Sequence, residues 1–323
     1  MQSYQPLVSI LINNYNYARY VGDAIDSALG QTYPNIEVIV VDDGSTDQSR
    51  EVIEGYGDRI IPIFKPNGGQ ASAMNAGFAA SHGDIICLLD ADDLFLPNKV
   101  DIVVKLFRSH PGIDWVFTES APIQPSDLVH TDLQAVVEHL LAENQDTPQK
   151  VDFKANIRNA ELPNFTPSTS NLCFSRALLD KLFPLPEVKG SSGLAICDTY
   201  INLLAVGLGT GYVTKQNLGI FRKHLENRYT MQETSKKRGI SAEILIATGY
   251  WMSVRFPEFR KLSRKLLSKG RGRYLASNYS NADCEKMASD YLSNTSLLET
   301  LEIRLATLYC FLKLRSMDWL KKA

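Results

Sequence analysis

The chain has no G-x-G-x-x-G after its first apolar run, Leu7 to Ile12, which argues against a dinucleotide-dependent oxidoreductase. It also has no C-x-x-C. The five cysteines, Cys87, Cys173, Cys197, Cys284 and Cys310, are scattered and odd in number, so reduced thiols fit better than a disulfide framework or a zinc site. No apolar run approaches the ~20 residues that a spanning helix requires. Met1 to Leu7 lacks the basic and apolar regions of a signal peptide. Both absences describe a cytoplasmic protein, or one resting on the inner face of a membrane. A formal net charge of -2 shows no excess of either sign, so charge does not suggest nucleic acid as a partner. What remains is ordinary for a soluble globular protein: 323 residues, 44% hydrophobic and 22% charged. That length implies about two domains.

The informative stretch is Asp84 to Asp93, an apolar run from Ile85 to Leu89 followed by Asp90, Asp92 and Asp93. A short apolar run between polar residues reads as a buried strand, most often in a parallel sheet. Ligands of such sheets bind beyond the carboxyl ends of the strands. Carboxylates crowded there repel one another unless a cation sits between them, and hard oxygen ligands suit Mg²⁺ or Mn²⁺. Because Mg²⁺ completes its shell with phosphate oxygens, the expected partner is a diphosphate. The same residues also describe a solvated acidic turn that caps the next helix.

Upstream, strand, turn and helix alternate three times. Leu7 to Ile12 ends in Asn13-Asn14-Tyr15-Asn16-Tyr17, and a helical repeat from Val21 stops at Gly30. Ile36 to Val41 delivers Asp42-Asp43-Gly44-Ser45, and Ile60 to Phe64 delivers Asn67-Gly68-Gly69-Gln70. The alternation predicts an α/β fold, a doubly wound and mostly parallel sheet with helices on both faces. Tyr15, Asp42 with Asp43, and the Asp90 to Asp93 cluster then fall on one edge of one sheet. An aromatic ring and a carboxylate suit a uracil-like base, and a metal suits a diphosphate. Taken singly, Asp42 and Asp43 read as a turn and helix cap, and Tyr15 as a surface aromatic.

Val8 to Asn16, Val40 to Asp47, Asn67-Gly68-Gly69 with Asn75-Ala76-Gly77, and Leu89 to Asp93 follow one another in an order that strongly resembles the family 2 glycosyltransferases. Any one motif is weakly specific; four in order are strongly so. The resemblance is close from Pro6 to Thr118 and looser to about Asn227. It implies a GT-A fold and transfer with inversion at the anomeric carbon. It places Tyr15 against the nucleobase, Asp43 on the base N–H, Asn75 near the donor and Asp90 at the ribose and metal. Asp92 would coordinate the divalent cation, with Asp93 behind it or as an alternative ligand. One departure is Met74, where many relatives carry arginine, which leaves more of the phosphate charge to the metal or to a later basic residue.

Beyond Thr118 the alternation breaks. Pro97 is expected to open a helix, and Asp114 to Thr118 a strand. Gln124 to Leu162 reads as an acceptor-side insertion or a surface excursion, with a helix around Leu133 to Ala142. Pro167 to Arg176, with Ser170, resembles the segment lining the acceptor pocket. Asp198 matches the family's Xaa-Asp base, with Cys197 in place of the common glutamate, and also reads as an acidic residue in a helix's first turn. Phe221, Arg222 and His224 resemble the closing Tyr-Arg-Xaa-His strand. Arg222 and Arg228 could offset diphosphate charge, and His224 could reach the metal or serve structure alone. From Glu233 on the chain reads as helical, with a basic run from Arg260 to Arg273. Such helices could touch an anionic membrane surface or simply pack on the catalytic domain.

The expectation is thus a GT-A catalytic domain over 1–230, its nucleotide half about 1–120 and acceptor half about 121–230, followed by a helical region over 231–323. It uses Mn²⁺ or Mg²⁺ to move a sugar from a nucleotide donor to a glycan or lipid-linked hydroxyl. UDP is favoured over dTDP and GDP. The alternatives are a nucleotide-sugar-binding partner without transfer activity, and a receiver-like phosphoacceptor. The second is disfavoured because Asp42-Asp43 follows the second strand instead of the first.

Overall fold

Every residue of β1 (Val8–Asn14) except Asn13 is buried, because β1 lies mid-sheet with helices over both faces. The structure is a computed structural model that describes residues 5–123, 133–143, 146–188, 193–225, 227, 229, 232–277 and 279–320. The chain divides into two units, the first made of Met1–Phe153, Phe165–Leu185 and Leu208–His224.

In that first unit β1, β2 (Ile36–Asp42), β3 (Ile61–Phe64) and β4 (Ile85–Asp90) run parallel in the order β3-β2-β1-β4. Parallel neighbours need crossovers, and α1 (Ala18–Leu29), α2 (Ser49–Glu54) and α3 (Gln70–Ala80) lie in these connections. Side chains alternate along each strand. Ile10, Ile12, Val38, Val40 and Leu89 therefore share a core with Val21, Ala24, Ile25 and Ala28 of α1. Full burial of each such aliphatic side chain contributes about 1.5–3 kcal/mol. On the other face Gly77 of α3 sits over Val41 and Leu11, and Met74 is fully buried. An apolar residue at position 74 is thus part of the core.

Past β4 the sheet becomes mixed. The further elements are β5 (Leu94–Phe95), α4 (Lys99–Ser109), β6 (Trp115–Ile123), α5 (Leu133–Glu143) and β7 (Gln149–Val151). After α6 (Lys154–Arg158) come β8 (Leu172–Ser175), α7 (Arg176–Leu182), α8 (Asp198–Leu208) and β9 (Gly211–Arg222). β8 lies antiparallel between β4 and β6, β9 is parallel to β6, and β5 and β7 are antiparallel to β9. Pro97 precedes the helix instead of opening it, since α4 starts at Lys99 with Asn98 at its N-cap.

The second unit comprises Lys154–Asn164, Pro186–Gly207 and Leu225–Ala323, so two earlier segments join the C-terminal helices. Its main helices are α9 (Thr234–Arg255), α10 (Arg260–Leu275), α11 (Ala282–Ser293) and α12 (Leu297–Leu320). Asn281 caps α11 by accepting from the N–H groups of Asp283 and Cys284. The basic run of α10 is partly neutralised within the unit: Arg260 pairs with Glu299 at 2.6 Å, and Arg264 pairs with Glu302. Lys265 donates to the Ala160 carbonyl. Among the described residues no helix is long and apolar enough to cross a membrane. All five cysteines are free thiols.

Candidate active site

The carboxyl ends of β1, β2 and β4 meet at one edge of the first unit's sheet, and β1 supplies an asparagine to each neighbour. Asn13 Nδ2 donates to Asp90 Oδ1 at 2.9 Å, and Asn14 Nδ2 to Asp42 Oδ1 at 2.8 Å. Asn16 adopts φ 58°, a left-handed conformation that asparagine tolerates. Its side-chain oxygen accepts from the Thr46 N–H at 2.7 Å, which ties the loop after β1 to the loop after β2. Tyr15 lies in this polar rim and is half-buried.

Asp43 is buried and clasps the loop after β3. Its carboxylate accepts from Lys65 Nζ at 2.6 Å, Gly68 N at 3.0 Å and Gly69 N at 2.8 Å. A carboxylate offers about four acceptor positions, so one is left for a ligand N–H. The close approach needs Gly44, at φ +75°, because a Cβ there would lie 2.6 Å from Asn67 N. Asn75, on α3, is tied to Leu185: its amide donates to the Leu185 carbonyl at 2.9 Å and accepts from the Leu185 N–H at 2.6 Å.

The acidic cluster follows β4. One carboxylate oxygen from each of Asp90, Asp92 and Asp93 lies within 4.8 Å of the other two. Asp92 Oδ2 is 3.0 Å from His224 Nε2, and the imidazole packs against Tyr17 and Tyr20. Asp93 accepts from Ser170 Oγ at 2.6 Å and from the Arg222 N–H at 3.3 Å. Ser170 Oγ also accepts from the Asp90 N–H at 3.1 Å, so it faces the cluster. Burial first, and then the charge of Asp92, pushes the Asp93 carboxyl up to about 8. Such crowding is what a hard divalent cation relieves, and the three carboxylates fit one.

Arg222 braces the turn. Its Nε donates to the Asp92 carbonyl, one terminal nitrogen meets Asp23 at 2.6 Å, and the other meets the Tyr20 carbonyl at 3.0 Å. Two further cations escaped the sequence reading. Lys65 could have been found, since it directly follows a strand at the ligand edge. Lys99 had no local signal: it is fully buried, with Nζ 2.6 Å from the Ser170 carbonyl, 3.1 Å from Thr118 Oγ1 and 4.1 Å from the centre of the Phe95 ring.

Asp198 belongs to the second unit and opens α8. Burial raises its carboxyl pKa, while hydrogen bonds from Cys197 and Thr199 pull the other way; the Thr199 N–H lies 2.6 Å from Oδ1. Arg228 lies outside the described residues.

A mixed sheet with carboxylates beyond the ends of its parallel strands is the arrangement expected of a GT-A fold, and the comparisons agree. The model of "Glycosyl transferase family 2" matches residues 9–183. A Nostoc sp. glycosyltransferase is 33% identical over 260 residues, covering 75% of this chain and 77% of that protein. The chain therefore belongs to glycosyltransferase family 2. Chondroitin synthase of Pasteurella multocida is 42% identical over 123 residues, 37% of this chain but 13% of the synthase. A Rickettsia typhi glycosyltransferase is 50% identical over 106 residues, 33% of each chain. The chain thus aligns with most of the Nostoc relative's length but a third or less of the other two. Among solved structures, S. aureus TarS 1-349 in complex with UDP-GlcNAc aligns at TM-score 0.58 and 15% identity, covering 94% of this chain and 89% of that one. The mannosyltransferase PcManGT of Pyrobaculum calidifontis, in complex with GDP-Man and Mn²⁺, aligns at 0.50 and 17%, covering 96% and 88%.

Proposed function

We propose that this glycosyltransferase moves a sugar from a UDP-sugar to a hydroxyl of a glycan or lipid-linked acceptor, by a metal-assisted single displacement that inverts the anomeric carbon. The observation that carries the reading is the Asp90, Asp92 and Asp93 cluster beyond β4, on the same sheet edge as Asp43. The nucleotide-sugars bound by TarS and PcManGT support a nucleotide donor, and the chondroitin synthase relative supports a glycan acceptor.

Tyr15 flanks the base, and the remaining acceptor position of Asp43 takes its N–H. Asp92, with Asp90 and His224 beside it, would hold a divalent cation, Mn²⁺ or Mg²⁺, which would supply Lewis-acid stabilisation to the departing diphosphate. Asp93, Ser170 and Arg222 hold the cluster's shape. Asp198 takes the acceptor proton while the acceptor oxygen bonds to the anomeric carbon and the bond from that carbon to the diphosphate breaks. The raised pKa of Asp198 makes it a stronger base than an exposed carboxylate.

The test is calorimetric titration of UDP, GDP and dTDP, with and without Mn²⁺, on the wild type and on Asp92→Asn. The expected result is Mn²⁺-dependent binding of UDP that the variant loses. A folded wild type that binds none of the three would overturn the donor site.

A further inference from the structure

α12 has two apolar stripes, and the second unit covers one of them. Ile303 and Thr307 are buried, and Cys310 lies against Gly272 of α10. The other stripe is bare. Leu298, Leu301, Leu305, Leu308 and Leu312 are 76%, 54%, 59%, 50% and 55% exposed, and Leu297 and Tyr309 beside them are 91% and 66% exposed. The five leucines are spaced three, four, three and four residues apart. This is a seam with two apolar positions per heptad, narrower than the face a globular helix turns to its own core. A repeat of 3.5 residues stays in register only with another helix of the same repeat.

The geometry points to α12 as a dimerisation helix, pairing its leucine seam in parallel with the seam of a second copy of this chain. The area is sufficient. The seam with Leu297 and Tyr309 bares on the order of 800 Å² per copy, about what each partner contributes to a standard interface and above the ~300–600 Å² of a typical monomer's largest apolar patch. The flanks are also complementary. Tyr309 lines one edge of the seam and Arg304 the other, so a parallel pair sets the Arg304 edge of each copy against the Tyr309 edge of the other. Arg304 then falls at the heptad position that meets Tyr309 of the other copy, five residues on, where a guanidinium and an aromatic face attract.

A lipid surface is the weaker occupant. It favours a wide apolar face bordered by lysine and arginine. The bare stripe of α12 is only two positions per heptad wide.

Sedimentation equilibrium of the full chain decides the matter. The wild type is expected at twice the 36.0 kDa chain mass. Leu305→Glu with Leu308→Glu is expected at the single mass with an unchanged circular dichroism spectrum, since both side chains are at least half exposed. A monomeric wild type, or a variant that still dimerises, overturns the proposal. So does flotation of a monomeric wild type with vesicles of anionic phospholipid when the same two substitutions abolish it.

Discussion

Lys99 is fully buried, its amine held by the Ser170 carbonyl, the Thr118 hydroxyl and the face of Phe95, and burial lowers its pKa. Lys99→Met keeps the length but leaves the Ser170 carbonyl without that donor. A loss of about 1–3 kcal/mol is expected, read from the urea midpoint. Beyond Ser170 lies Asp93, whose behaviour with pH is a second expectation. Its carboxyl holds a proton up to about pH 8 in the folded chain but only to about 4 once unfolded. Between those values the folded state binds more protons. Its contribution to stability is therefore full below about pH 4 and is lost as pH rises towards 8. Urea midpoints of the metal-free protein are expected to fall across this window, and Asp93→Asn to flatten the fall. The carboxylates were legible because all three stand within four residues of one another. Lys99 was not, because its burial depends on Ser170, 71 positions away, and no local pattern announces that pairing.

Elements were legible as far as local periodicity fixes them. β1 to β4 with their helices follow from apolar runs ended by turn residues, and the helix beginning at Asp198 follows its acidic first turn. The antiparallel insertion of β8 between β4 and β6 did not, because strand order past β4 is set by contacts distant in sequence. Helix contacts are equally hidden. At Gly272 a Cβ would lie 2.5 Å from the Cβ of Cys310 and 3.0 Å from the Thr307 carbonyl, so α10 and α12 touch through a missing side chain. Gly272→Ala is expected to force them apart at a cost of about 1–3 kcal/mol despite the better helix propensity of alanine. Chemical denaturation would show it as a lowered midpoint with an unchanged slope.

At the scale of the molecule, the proposed mechanism gives donor binding to Asp43 and Asp92 and proton removal to Asp198, so it makes the two functions separable by mutation. Asp198→Asn is expected to leave the UDP titration unchanged while lowering transfer by about 10²–10⁴-fold, measured with a radiolabelled donor. Undiminished transfer would remove Asp198 from the mechanism. A helical region after residue 230 was legible from composition. The joining of 154–164 and 186–207 to it was not, since hydrophobic pattern records that a face is buried but not against what.

The acidic cluster also has a history within each molecule's synthesis. A nascent chain that has emerged as far as β4 already holds Asp90, Asp92 and Asp93, yet Ser170, Arg222 and His224 are still to be made. The groups that shape the site arrive roughly 80 to 130 positions later, and closing loops of that length is slow relative to helix formation. The ribosome thus releases a sheet edge first and a finished site last, so a chain cut short between them has Asn13 to hold Asp90 but lacks the partners of Asp92 and Asp93.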